Sequence, residues 1–311
     1  MKLSRNGLAF IAAAVLIVSA PFLPSWARFL LTVVLAKGLV VFGLMLMYRA
    51  GLMSFGQGLY YCLGAYTAGS LAQFAHVSNG VVLVTASALA SALLGAILGL
   101  LMSKYRGIFF GLLSMAFSMI LYGILVKSSA LGSTDGFTLP VPTFPGVPGG
   151  EVGHYIPYVL AVVAALAAAL LLGRYLDSPL GRLGPAIRDN EIRVEYLGQS
   201  VREAIHVEYV IASLLAGIGG GITAMTIGHI DPEMAYWTTS GEFVFVTVLS
   251  GAGSVFAPFL GALVFESIRT FAYQYSPNTW QMVVGGSMLL VIVFLPTGLW
   301  SVFERRRRAR A

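Results

Sequence analysis

Charge is scarce in this sequence. Only 10% of the 311 residues are Asp, Glu, Lys or Arg, while 58% are hydrophobic. The mean hydropathy is +0.84, whereas about a quarter of the residues of a soluble domain are charged. Cysteine is scarcer still. Cys62, the only one, lies inside an apolar run, so a disulfide framework and a cysteine-rich metal cluster are excluded. No GxxxxGK[ST] phosphate loop occurs, so the chain lacks the usual means of binding and hydrolysing ATP. HExxH, GxSxG and GxGxxG are missing too. The four histidines, His76, His154, His206 and His229, are scattered at loop or interfacial positions, where solvated histidines outnumber ligands. No series of spaced carboxylates and histidines suggests a proton or sodium relay. A membrane enzyme built on this chain would have to work from single residues.

What the chain does have is apolar runs of membrane length. Runs of about 20 residues bounded by charge, proline or glycine fall at roughly 7–24, 29–48, 59–75, 80–102, 107–127, 155–173, 208–228, 241–252, 257–275 and 279–298. The expectation is an all-α polytopic membrane protein with about ten transmembrane helices in one domain, 1–311. The eighth run is too short to cross as a simple helix, and the glycine-rich GAGSVFAP joins it to the ninth. Broken helices of that kind need protein or a cavity over their backbone. With ten spans and an inside start, 15 of the 19 Lys and Arg residues fall on one side, as the positive-inside rule requires. Both termini are then cytoplasmic. The net charge of +6 follows from this asymmetry, and the tail 304–311, RRRRARA at its end, reads as a topology anchor beside anionic headgroups. Nothing in this pattern calls for nucleic acid. Lys2, Arg5, the run from Leu8 to Ala20 and Ser25-Trp26-Ala27 also fit a cleavable signal peptide. Removing 1–27 would leave nine spans and move no later loop to the other side.

Three glycine pairs at helix spacing, Gly95/Gly99, Gly107/Gly111 and Gly217/Gly221, predict close helix packing in lipid. Polar residues at membrane depth are candidates for the pathway, because charge there faces protein or water. These are Gln57 in GLMSFGQG, Glu242 at the start of the eighth span, and Glu266 with Arg269 in the ninth. The last two stand i, i+3 and are expected to pair. Lys37 is read as buried or snorkelling. On the outer side lie the turn-rich loop 128–155, with Ser133-Thr134-Asp135-Gly136, and the acidic loop HIDPEMAYW at 229–237. Asp135 is a candidate for the outer mouth of a pathway.

The inner segment 174–206 breaks the apolar pattern. Asp177-Ser178-Pro179 ends the sixth span, Gly184-Pro185 is expected to start a short helix, and Gly198 to stop it in the left-handed conformation. Ile187, Val194 and Leu197 are expected on one stripe, with Arg188, Asp189, Asn190, Glu191 and Arg193 around it. Asp189 and Arg193 form an acid-before-base i, i+4 pair. A compact charged helix on the basic side suits docking of a soluble partner; a solvated connector or a helix resting on headgroups are the other readings.

SPLGRLGPAIRDNEIRVEYLG resembles the cytoplasmic signature of permease subunits of branched-chain amino acid ABC importers. GLMSFGQGLYYCLGAYTAG, STDGF, VLSGAGSVFAPFLGA and FLPTGLW resemble further stretches of that family in order, and the order favours the M-type subunit. Two departures stand out: Gly184-Pro185 in the inner signature, and the bulky SFGQGLYY. The resemblance implies a permease domain of the branched-chain amino acid/ribose type. It implies a second permease subunit, two cytoplasmic ATPase subunits that bind the ATP, and an extracytoplasmic solute-binding protein. It further implies a bacterial or archaeal cytoplasmic membrane, and no cofactor in this chain. The helix Pro185–Gly198 would then carry hydrolysis to the bundle. Urea and amide-like solutes remain alternatives to branched-chain amino acids, and a membrane enzyme or scaffold is the reading from another class.

Overall fold

The computed structural model of the chain describes residues 5–143, 155–275, 277–295 and 298–301. Among these residues eleven α-helices follow one another: α1 Arg5–Ser19, α2 Ser25–Arg49, α3 Gln57–Phe74, α4 Gly80–Met102, α5 Gly107–Lys127, α6 Ile156–Asp177, α7 Pro179–Tyr196, α8 Val201–Ile227, α9 Trp237–Ser250, α10 Ala257–Tyr275 and α11 Trp280–Phe294. A helix stands on each of the ten apolar runs, and α7 is the extra one. Five helices, α2, α4, α5, α6 and α8, are long and apolar enough to cross a membrane. The basic tail and the proline-rich stretch 144–154 lie outside the described residues.

α4 shows how the bundle differs from a soluble one. Its small residues Ser87, Ser91, Gly95 and Gly99 recur every fourth position and are buried. Leu89, Leu93 and Ile97, also four apart, are 59–68% exposed. The large apolar side chains therefore face outward and the small polar ones inward, the pattern a lipid solvent selects. α5 repeats it, with Gly111, Ser114 and Ser118 buried and Ile108, Leu112, Ile120 and Ile124 exposed.

α2 and α8 form the centre. Ala36, Leu39, Val40, Val41 and Phe42 of α2 are fully buried, as are Ala212, Ala216 and Ile222 of α8. Small residues let the backbones touch. A β-carbon on Gly64 of α3 would sit 2.7 Å from Gly217 Cα, and one on Gly43 of α2 would sit 2.7 Å from Ala212 Cα. Hydroxyls then satisfy the carbonyls so exposed: Ser87 Oγ donates to Gly64 O at 2.7 Å, and Ser91 Oγ to Tyr60 O at 3.0 Å. Of the three glycine pairs read from the sequence, Gly95/Gly99 meet Ser213 and His206, and Gly217/Gly221 meet Ser91 and Ser87. Gly107/Gly111 does not behave as a packing pair, since Gly107 has nothing near it and takes φ +56 to start α5.

The helix ends differ from the expectation at two places. α8 begins at Val201, well before 208, because Ser200 Oγ caps it by accepting from Glu203 N at 3.3 Å. α1 ends at Ser19, and the chain turns through a 3-10 segment, Ala20–Phe22, before Pro24. α1 is docked on α6, where Tyr158 Oη donates to Leu16 O at 2.8 Å.

Candidate functional site

Two stretches that are not α-helical enter the bundle, the second through a short 3-10 helix at Pro232–Ala235, and each is followed by a helix that begins inside it. After α2 the chain reverses at Gly51 (φ +79) and runs through residues 52–56 to the start of α3. Ser114 of α5 anchors this segment, accepting from Phe55 N at 3.0 Å, and Ser54 Oγ accepts from Gly56 N at 3.2 Å. After α8 the chain pairs briefly with the turn that follows α5, Phe137 opposite Ile230 and Thr138 opposite His229. It then descends along α3: Ile230 packs at Gly69, and Met234 O at Gly58. The stretch of α3 from Gly58 to Gly69 spans about 16 Å of helix. Ser118 Oγ donates to Ala235 O at 2.7 Å, and Gly58 N donates to Ser240 Oγ at 2.9 Å. The two entering segments thus meet at Gly58 and Ser240. Polar backbone at such depth persists because serines and glycines of neighbouring helices cover it. α9 is only 14 residues long, matching the short eighth run, and the non-helical residues 251–256 separate it from α10.

Gln57 opens α3 at this junction and is fully buried. Its Nε2 lies 3.6 Å from Met47 Sδ, and its Oε1 makes no hydrogen bond to protein. Asp135 sits apart, exposed on the turn after α5 with Thr134 Oγ1 at 3.3 Å. The turn is locked to the loop that follows α8. Gly132 and Gly136 adopt φ +82 and +65, and any side chain on Gly136 would run into the Ile230–Asp231 backbone.

Four charged residues within the bundle form one chain. Lys37 Nζ is 2.6 Å from Glu266 Oε1, Arg269 Nη1 is 3.9 Å from the same oxygen, and Arg269 Nη1 is 3.1 Å from Glu242 Oε2. The i, i+3 pair expected between Glu266 and Arg269 is therefore the weakest link. Each residue has a closer partner on another helix, Lys37 on α2 and Glu242 on α9. The Arg269 guanidinium also lies over the Trp280 ring at 5.5 Å.

α7 departs from the sequence reading in three ways. It starts at Pro179, where Ser178 Oγ accepts from Gly181 N at 3.3 Å, so Pro185 lies inside the helix and does not begin it. Asn190 is extended (φ −162, ψ 99) and splits the helix in two. Its Oδ1 accepts from Arg193 N at 2.9 Å and caps the second piece. That break removes the helical register on which an Asp189–Arg193 pair depends, and no ion pair joins those two residues. Ile187 and Val194 are buried against this chain's own bundle, but Leu197 is 75% exposed, because the chain has left the bundle by then. The stop at Gly198 (φ +81) is made by Gly198 N to Glu195 O and Gln199 N to Val194 O, the paired bonds of a left-handed helix end.

Glu191, read as a rim charge, is a strut. Arg106 Nε and Nη2 hold its two carboxylate oxygens at 2.9 and 2.8 Å, while Arg106 Nη1 donates to Ser103 O at 2.6 Å. The link between α4 and α5 is thereby tied to the α7 break. Arg188 lies over the Tyr48 ring at 5.4 Å. Sequence reasoning missed Glu208, which is only 3% exposed under α7. A β-carbon on Gly184 would come 3.2 Å from Glu208 Oε1 and 3.7 Å from Arg49 Cβ, so glycine in this signature makes room for a buried carboxylate. The available signal is that Glu208 is the one charged residue in the apolar run 208–228. The face α7 leaves exposed carries Ile192, Tyr196 and Leu197 beside Arg193 and Glu195.

Among the described residues no three His, Cys, Asp or Glu side chains come together as a metal set. The arrangement is that of a packed bundle with irregular backbone inside, a buried charge chain, and a kinked amphipathic helix laid across one end.

Comparison with known proteins gives the same picture. The chain is 27% identical over 95% of its length to the high-affinity branched-chain amino acid transport system permease protein LivM of Escherichia coli, covering 75% of that protein. It is 26% identical to the high-affinity branched-chain amino acid transport system permease protein BraD of Pseudomonas aeruginosa over 57% of this chain and 60% of that one. To LivH of Salmonella typhimurium it is 24% identical over 54% of this chain and 51% of that one. No solved structure matches. The family model for the branched-chain amino acid transport system / permease component matches residues 27–293, and the chain belongs to that family of inner-membrane, multi-pass transport subunits.

Proposed function

We propose that the chain forms one side of the translocation pathway of an ATP-driven importer for branched-chain amino acids or closely related small polar solutes. The observation that carries this reading is α7: a kinked amphipathic helix set between two membrane-length helices, with its buried face on its own bundle and Ile192, Tyr196 and Leu197 turned outward. Two ATPase subunits bind and hydrolyse ATP and engage that outward face, with Pro185, Arg188, Asp189 and Gly198 around it. Ile187, Asn190, Glu191 and Val194 pass the movement inward through the Arg106 strut and the bundle. A second permease subunit completes the pathway. A solute-binding protein docks on the outer loops, where Asp135 and the short His229–Ile230 strand are held together. Gln57, Glu242 and Arg269 line the pathway, and Glu266 with Lys37 braces it. The whole chain is a single permease domain, supported by one continuous cluster of buried side chains running from α1 to α11.

Ten crossings with both termini cytoplasmic are the topology that the charge asymmetry supports. Reporter fusions after Asp135 and after Arg193 will report opposite sides; the same side for both would refute the topology. Purified alone, the chain will hydrolyse no ATP, and hydrolysis will appear only with the ATPase subunits present. Activity of the contaminant-free single chain would overturn the division of labour.

A further inference from the structure

The four-residue charge chain is not uniform. Its Lys37–Glu266 end is buried, at 15% and 7% side-chain exposure, whereas its Arg269–Glu242 end is 34% and 31% exposed. Lys37 is the middle residue of the 25-residue α2, so the chain lies near the centre of a helix long enough to cross. A half-open ion pair at that depth is costly against hydrocarbon and needs protein or water in front of it. On α9 the exposed Thr238 and Phe245 and the half-exposed Glu242 follow one another at helical spacing and share a face.

The composition of the site is specific. Two cations and two carboxylates balance, so a ligand that enters without net charge leaves the sum unchanged. A ligand carrying its own cation and anion can exchange partners with the open pair without leaving any charge unmatched, which an anion or cation alone cannot do. A cavity of about 10 Å³, room for one water, already lies beside Glu242, with Val41, Phe243, Val246 and Phe265 among its walls. Lys37 and Glu266 line it with Glu242 and its other walls are apolar, so an aliphatic side chain meets like surface there and a polar one finds no partner beyond these three charges.

We infer that the Glu242–Arg269 pair is a recognition site for a zwitterionic α-amino acid with an aliphatic side chain. Glu242 takes the ammonium and Arg269 the carboxylate, while Lys37–Glu266 remains closed behind them as the brace. The inference rests on the importer reading and adds the residues that meet the solute.

The test uses the full complex in proteoliposomes, with Cys62→Ala as background and Phe245→Cys on the same face as Glu242. The probes are L-leucine and a charged, membrane-impermeant thiosulfonate. The thiol introduced by Phe245→Cys will react, and saturating L-leucine will slow the reaction at least fivefold. When Glu242→Gln/Arg269→Gln is added, the label will still react, protection by leucine will be lost, and leucine uptake will fall at least tenfold with the melting temperature little changed. Failure of the introduced thiol to react in a complex that takes up leucine places this face against lipid or protein and overturns the inference alone. Protection or uptake that persists in the double glutamine variant does the same, leaving the pair as a strut. If the parent complex takes up no leucine, the importer reading itself fails and the solute assignment falls with it.

Discussion

Gly64→Leu will cost the bundle more than any surface change. At that position the backbones of α3 and α8 are in contact, with Gly217 Cα 2.7 Å from where a β-carbon would be placed and Gly217 C at 2.8 Å. The obstacle is main chain, which no rotamer change can remove. Overpacking of this kind costs about 1–3 kcal/mol and occasionally more, so the melting temperature of the purified protein should fall by roughly 5 °C or more. Gly123→Leu is the control. It lies on α5 with nothing within 4 Å of its β position, and its melting temperature should stay near that of the parent. Equal losses in the two variants would mean that α3 and α8 do not pack as described.

Lys37→Met is expected to be at least as damaging, for a different reason. It removes the closest cation from Glu266, 2.6 Å away, and leaves Arg269 only at 3.9 Å. Removing one partner of a buried pair costs about 3–5 kcal/mol, because the other charge stays buried. Adding Glu266→Leu should recover most of that loss, since a hydrophobic pair of similar volume tolerates the site at least as well. Thermal unfolding of the single and double variants in detergent measures both. A single variant as stable as the parent, or a double variant no better than the single, would show that Glu266 does not depend on Lys37.

Several features of the fold can be read from the residue pattern alone. Apolar runs locate the helices because lipid demands continuous hydrophobic segments, and the short eighth run matches the 14-residue α9. Gly198 announces its own left-handed stop. The reading fails where tertiary contacts decide. Periodicity puts Leu197 with Ile187 and Val194, yet the stripe ends where α7 leaves the bundle. The capping potential of Asn190 is visible only once the helix is known to break there. Glu191 looks like a solvated rim charge because Arg106 lies 85 residues away in sequence. The same distance problem hides the Lys37–Glu266 pair, separated by 229 residues, so pattern alone favours the local i, i+3 partner. Glu208 escapes notice because its place under α7 depends on Gly184, a contact between separate helices.

The central claim is that α7 connects hydrolysis in other chains to movement in this one through its outward face. Ile192→Ala/Tyr196→Ala/Leu197→Ala removes the apolar part of that face and touches none of the buried contacts of Ile187, Val194 or Glu191. Interfaces take most of their energy from a few such anchors. The direct measurement is ATP-driven solute uptake by the reconstituted complex, with subunit association and melting temperature followed in parallel. The account predicts that the triple variant keeps the parent's melting temperature but loses at least tenfold of its uptake, through weakened association or hydrolysis no longer tied to transport. Uptake and stimulated hydrolysis equal to the parent's would contradict it and reduce α7 to a connector.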